Sequence, residues 1–411
     1  MKLRTTPARV YRRATSLVRT DPQGVKTGFV ALIISTTAGL VAGIALGSVT
    51  GTLITFPGLV VLAPGALGLR GNIFGALSSR FSTMNQLGEF RFSRKFSSPM
   101  GQNIYAAVSL YISCSLILAG IAKIITEAFG VPNAISFSEF FTIAVIGAIV
   151  PTIVVLGVTV FLTRICFKKE WDLDNVAAPL ITATGDMITI PSLVLATVFV
   201  GHGFISHTLA LIVTVLAVAL LVIGLISDKN IVRHIYRQSL ALLLVGGTIS
   251  LLAGLNVQAR IISLDMFPIL IVLFPPLLSL NGAIGSILSS RIATKLHLGT
   301  VRADKFSLSS ISEDITVAYL LSVPIFIVLG LFCSIYSVIG HLHGPGTLSV
   351  IAIAVIAGLI ATTLSNIVGY FTAIVTYRFG LDPDNFAIPT VTSASDLIGA
   401  TVLMLVIGVF I

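Results

Sequence analysis

Charge is what this sequence has least of. Asp, Glu, Lys and Arg make up 10% of its 411 residues, where a water-soluble chain carries roughly a quarter. So few charges cannot cover a water-facing surface of ordinary size. Tryptophan occurs once. The three cysteines, Cys114, Cys166 and Cys333, show no pairing pattern, so no disulfide framework is expected. Long polar stretches are missing as well. The longest connections between apolar runs, 80–103 and 291–314, hold about 24 residues each and leave no room for a soluble domain.

What is present is apolar sequence. Hydrophobic residues make up 55% of the chain and the mean hydropathy is +1.04. Runs long enough to cross a bilayer recur at 28–50, 52–79, 104–126, 138–163, 176–200, 207–227, 237–255, 262–290, 315–338, 347–376 and 386–411. The expected class is an all-α integral membrane protein with eleven spans. The runs at 52–79 and 262–290 contain Pro57 and Pro64, and Pro268, Pro275 and Pro276. These prolines are expected to break the helices, and the freed carbonyls are tolerable only inside protein or against a water-filled cavity.

The net charge of +9 does not point to nucleic acid, because of where the bases lie. In an eleven-span topology with the N-terminus cytoplasmic, 22 of the 25 Lys and Arg fall in cytoplasmic segments, and only Arg70, Lys123 and Arg260 do not. This is the positive-inside bias, and it supports the span count independently of hydropathy. The expected location is the cell membrane, multi-pass, with the C-terminus outside. The basic tail, 1–27, is read as a topology signal lying on anionic lipid and not as a signal peptide.

The chain also repeats itself. "DLDNVAAPLITATGD" ending at Asp186 returns at an offset of 210 as "DPDNFAIPTVTSASD" ending at Asp396, with seven identities in fifteen. Residues 57–83 match 268–294 at an offset of 211 with fourteen identities in twenty-seven. Two matches at nearly one offset imply a duplicated unit. The expected domains are the tail, a first five-helix repeat over 28–206, a linker helix over 207–227 and a second five-helix repeat over 228–411. The linker helix returns the chain to its starting side. The repeats are therefore expected to be parallel, related by a pseudo-twofold axis along the membrane normal.

The repeated segment carries an acid in mid-span. Asn175, Pro179, Thr182 and Asp186 share one helical face, and Asn385, Pro389, Thr392 and Asp396 have identical spacings. Each fifth helix thus bears a polar stripe about 16 Å long. An acid at the bilayer centre costs about 2.5–3.5 kcal/mol on insertion scales. Protonation, a basic partner or a bound cation removes that cost. Arg70 is the single basic candidate, and Asn281 replaces it in the second repeat, which leaves a proton or a metal ion. An all-oxygen environment favours hard divalent ions, and Asn and Thr suit contact with a hydrated Mg2+. The glycines of "GLRGN" (68–72) and "SLNGA" (279–283) are places where backbone can approach a permeant ion; Gly71, Asn72 and Gly282 are counted as supporting residues. Asp172, Asp174, Asp382 and Asp384 are read either as helix caps or as a cytoplasmic vestibule that concentrates cations.

These segments, with "PGALGLRGNIFGALSSRFST" (64–83), resemble the MgtE-type magnesium channels, and more closely the duplicated members known as solute carrier family 41. The resemblance covers both repeats. It implies two five-helix units packed about a twofold axis, a pore lined by helices two and five, and Mg2+ bound by the fifth-helix acids, Asp186 and Asp396. Backbone carbonyls of Thr182 and Thr392 would face the hydrated ion. The metal-sensing domains of bacterial MgtE proteins have no counterpart in this sequence. The expected function is divalent cation transport, most of all Mg2+, with Mn2+ or Co2+ as further cargo and no prosthetic group. Expected partners are membrane lipid and divalent ions, with no nucleic acid and with one chain acting as a monomer. A secondary exchanger coupling Mg2+ to Na+ or H+ is the nearest alternative. An intramembrane aspartyl protease is a remote one, because Ala183 stands where its GxGD motif needs glycine and because the two acids lie in matching rather than unlike motifs.

Overall fold

A computed structural model describes residues 22–86, 90–93, 95–169, 173–200, 204–261, 264, 266–302, 308–380 and 383–410. Among them there is no strand, and eleven helices are long and apolar enough to cross a membrane. With no water in hydrocarbon to satisfy backbone groups, helices that satisfy their own are the expected solution for such a sequence. The protein is an all-α, multi-pass membrane protein.

The helices are α1 (Pro22–Ser48), the short α2 (Thr50–Thr55), α3 (Leu59–Gln86), α4 (Pro99–Ala128), α5 (Phe137–Lys169), α6 (Leu173–Ala196), α7 (Phe204–Ile226), α8 (Asn230–Gln258), α9 (Pro268–His297), α10 (Leu308–Ile339), α11 (Thr347–Arg378) and α12 (Pro383–Phe410). Their ends follow local chemistry. Before α4, the Ser98 hydroxyl accepts from the Gly101 amide at 3.1 Å with Pro99 in the first turn, a standard N-cap. Before α5, the Ser136 amide donates to the Glu139 carboxylate at 2.7 Å while the Ser136 hydroxyl caps Glu139, a capping box.

The helices group into two compact units, Val41–Pro275 and Met1–Leu40 with Pro276–Ile411. In the first, α3 is packed by α4, α5, α6 and α8. The linker helix α7 lies against α4 and α5 through Leu116, Val145, Val213 and Ala217. Its other side, with Leu211, Ile212 and Val215, is exposed, as suits a lipid-facing surface in a bilayer. In the second unit α11 packs against both α10 and α12.

Pro57 lies in a break between helices and Pro268 opens one, as expected, but Pro64, Pro275 and Pro276 do not break theirs. α3 runs on through Pro64 and α9 through Pro275 and Pro276. The interruption lies earlier, at Phe56–Gly58 between α2 and α3. There Gly58 adopts φ +104° and its amide donates to the Gln258 side-chain oxygen at 3.1 Å. Uninterrupted helices are possible because the carbonyls that proline leaves without a donor are covered by protein. Pro64 frees the Val60 carbonyl and Pro276 frees that of Val272. A Cβ on Gly254 would lie 2.6 Å from the Val60 oxygen, and one on Gly43 would overlap the Val272 oxygen. Gly43 and Gly254 are equivalent at the 211 offset. The first helix of each sequence repeat therefore packs on the second helix of the other, glycine against carbonyl. Gly39 and Gly47 extend the approach, meeting Pro276 and the Val272 side chain.

The basic residues ending α3 and α9 are also tied down. The Arg80 Nε donates to the Asn103 side-chain oxygen at 2.8 Å. Its equivalent Arg291 meets Asp314 at 3.0 Å, and Lys295 meets the other Asp314 oxygen at 2.6 Å. Asn103 and Asp314 are themselves equivalent at that offset.

Gly43→Ala is expected to destabilise the protein by about 1–3 kcal/mol, because the added methyl meets backbone that cannot turn aside. Gly157→Ala, where a Cβ meets nothing within 4 Å, should be neutral or stabilising. Thermal unfolding in detergent would compare the two.

Candidate functional site

Asp186 lies in mid-α6 and is 6% exposed. Its helix packs along α3, which brings Arg70, 1% exposed, directly against it. Arg70 Nη2 donates to Asp186 Oδ1 at 2.5 Å. Nη1 donates to the backbone carbonyls of Thr182 and Ile181 at 3.2 and 3.4 Å. Nε has no hydrogen-bond partner within the protein. The expectation that Asp186 lacks a basic partner is therefore corrected: a guanidinium answers its charge. The substitution by Asn281 in the other repeat says nothing about this one, since the two positions need not do the same job.

Gly185 makes the arrangement possible. A Cβ there would overlap the Arg70 guanidinium, so any larger residue would exclude it from the groove beside Ile181 and Thr182. A buried ion pair of this kind is weak evidence of net stability, since desolvation offsets much of the attraction. Removing one partner is another matter, because it strands the other charge in a low-dielectric interior.

The second repeat differs at both positions. Asn281 stands for Arg70 and Ser395 for Gly185. Asn281 is fully buried on α9 and its Oδ1 accepts from the Thr362 hydroxyl of α11 at 3.1 Å. Asn281 Nδ2, Ser365 Oγ, Ser395 Oγ and both side-chain polar atoms of Asn366 have no partner within the protein. Asn281, Ser365 and Ser395 come together where α9 meets α11 and α12: a Cβ on Gly285 would lie 3.4 Å from Ser365 Cβ and 3.5 Å from Ser395 Oγ, and one on Gly399 would lie 3.3 Å from Asn281 Nδ2. Buried groups of this kind are ordinarily satisfied by ordered water or a ligand. Asp396, beside Ser395 on α12, is half-buried.

The other expected site residues are placed as follows. Thr182 is half-buried, with its carbonyl on Arg70. Thr392 is half-buried; its hydroxyl donates to the Pro389 carbonyl at 3.1 Å, and its Cα would lie 3.7 Å from a Cβ on Gly282. Gly71 faces open space, since a Cβ there meets nothing within 4 Å, and Asn72 is half-buried. Asp172 and Asp382 lie outside the described residues, as do the side chains of Asp174, Asn175, Asp384 and Asn385. Asp186 and Asp396 belong to different compact units. Sequence reasoning missed Gly185, Ser365 and Ser395. The signal was available in the aligned repeats, where Arg70 and Gly185 change together to Asn281 and Ser395.

Eleven apolar spans with ionised or polar side chains fixed inside them define a polytopic membrane transport protein. The MgtE family, described as divalent cation transporters, matches at residues 63–196 and again at 274–406. These two segments cover well over half the chain, and the chain belongs to this family. Solute carrier family 41 member 3 of Mus musculus is 25% identical over 378 residues, which is 84% of this chain and 74% of that protein. Solute carrier family 41 member 2 of Homo sapiens is 25% identical over 386 residues, 84% of this chain and 63% of that protein. No solved structure matches. These are families of transporters and not of enzymes, so the protease alternative falls, and the protein is a divalent cation transporter.

Gly185→Ala is expected to expel the Arg70 guanidinium and cost about 3–5 kcal/mol, the range for breaking a buried pair. Gly75→Ala, in open space on α3, should cost little. Copying the second repeat with Arg70→Asn and Gly185→Ser together should recover part of the loss. Thermal unfolding of the detergent-solubilised chain would rank the three.

Proposed function

We propose that this protein carries Mg2+ across the cell membrane, with Asp186 and Asp396 as the carboxylates of the ion path. One observation carries the reading. A carboxylate 6% exposed in mid-span recurs at the same place in the second family match, and an acid at that depth is a functional group by default. Asn175, Thr182, Asn385 and Thr392 recur in sequence on the same helices as the acids, and neutral oxygens of this kind suit an ion that keeps part of its hydration shell. Gly71, Asn72 and Gly282 supply the facing backbone and amide on the second helix of each repeat. Asp172 and Asp174 in the first repeat and Asp382 and Asp384 in the second are the acids assigned to concentrating cations at the cytoplasmic side. In this reading the N-terminus is cytoplasmic, the C-terminus is outside, and the duplicated chain works as a monomer in lipid.

The printed description of the family, divalent cation transporter, supports the cargo class. The oxygen-only donor set supports Mg2+ over softer metals. The test is Mg2+ uptake into proteoliposomes followed by an internal fluorescent indicator. Asp186→Asn with Asp396→Asn is expected to lower the initial rate at least tenfold with the protein still inserted and monodisperse. An unchanged rate in this double variant would remove both carboxylates from the path. Repeating the assay with and without an imposed Na+ or pH gradient separates a channel from an exchanger.

A further inference from the structure

We propose that the end of the first compact unit where α3 and α5 stop and α4 starts holds an anionic phospholipid, its acyl chains along the outer face of α5 and its phosphate against Arg164, Lys168 and Arg91. Two stretches meet there. Residues 90–98 and 161–169 together carry six bases, five phenylalanines and no acid. Rings join them. Phe81 and Phe90 are buried, with 5.5 Å between their centroids. Phe92 and Phe167 pack on Phe90 at 4.9 and 5.9 Å, yet they are 42% and 45% exposed. The Arg164 guanidinium stands 6.0 Å from the Phe92 ring centre, within reach of a cation–π contact. The loop is thus pinned by buried rings while it shows two others to the outside beside cations. That combination suits a membrane interface, where apolar rings enter the acyl boundary and cations meet phosphate.

The exposed face of α5 sets the direction of the lipid. Ile153, Gly157, Phe161, Arg164 and Lys168 are all exposed, and steps of three and four residues put them on one face of the helix. That face is apolar up to Phe161 and basic from Arg164, about 4.5 Å further along at 1.5 Å per residue. A Cβ on Gly157 would meet nothing within 4 Å, so the stripe has a notch in which a hydrocarbon chain can lie. The change from apolar to basic marks the level at which chain gives way to headgroup. Its sign selects an anionic headgroup over a zwitterionic one, because electrostatic attraction then adds to the apolar contact. Aligned with the first repeat, the second has Ala303 for Phe92, Ile367 for Gly157 and Ile374 for Arg164, and Ile374 is buried. The lipid site belongs to the first repeat alone, and it stands whichever carboxylates carry the ion.

The test is native mass spectrometry of the full chain in detergent, mixed with equal amounts of phosphatidylglycerol and phosphatidylcholine. Phosphatidylglycerol should stay bound at least fivefold more often than phosphatidylcholine, and glycerol 3-phosphate in large excess should not displace it. Arg164→Gln with Lys168→Gln is expected to bring the preference to within twofold. Lys229→Gln with Arg237→Gln removes the same charge around the start of α8 and should leave the preference intact. All four side chains are exposed, so neither pair of substitutions touches the core. Equal loss in both double variants would mean that net charge alone is read, and it overturns the site. An unchanged preference in Arg164→Gln with Lys168→Gln, or none in the wild type, overturns it as well. Displacement by glycerol 3-phosphate would make this a site for free phosphate esters and ends the claim for lipid.

Discussion

A charge placed inside hydrocarbon has to be answered from within the protein, and the Arg70–Asp186 pair is how the first repeat meets that demand. Either residue alone is costly at that depth. Their union fixes how α3 lies along α6, because the guanidinium reaches a carboxylate and two carbonyls at once. It also dictates a glycine, since the residue before the acid must leave the space the guanidinium fills. Sequence, helix packing and electrostatics converge on three residues.

The same demand governs the backbone. Proline inside a membrane helix leaves a carbonyl without its donor, and α3 and α9 each carry proline within their length. The chain answers by laying glycines of α8 and α1 onto Val60 and Val272. Close helix contact stands in for the hydrophobic driving force that lipid cannot supply between apolar helices. Exchange of first helices between the sequence repeats follows from these contacts, and it explains why the compact units cut across the repeat boundaries.

The two halves of a duplicated chain need not keep the same chemistry. Arg80 with Asn103 and Arg291 with Asp314 hold equivalent places by a neutral hydrogen bond in one case and an ion pair with Lys295 in the other. At mid-span, Arg70 and Gly185 in one half stand against Asn281 and Ser395 in the other. A chain built from one duplicated unit can thereby surround equivalent positions differently, an option closed to a symmetric dimer of identical chains.

Much of this was legible in the sequence. The membrane class, the eleven spans and the repeated acid follow from composition, run length and self-similarity, because a bilayer imposes a one-dimensional test of apolar length on every segment that crosses it. The continuity of the helices through Pro64, Pro275 and Pro276 did not follow, since proline's effect depends on whether another helix covers the carbonyl it frees. The partner of Asp186 did not follow either. It lies 116 positions away in sequence, and nothing local to either residue encodes the meeting. Asp314 gave no signal until Arg291 and Lys295 were brought to it. What the chain determines by itself is which segments enter the membrane and which of them carry charge. Which charge meets which is decided only when the helices pack, because an ion pair is set by side-chain reach and free space at one point in three dimensions.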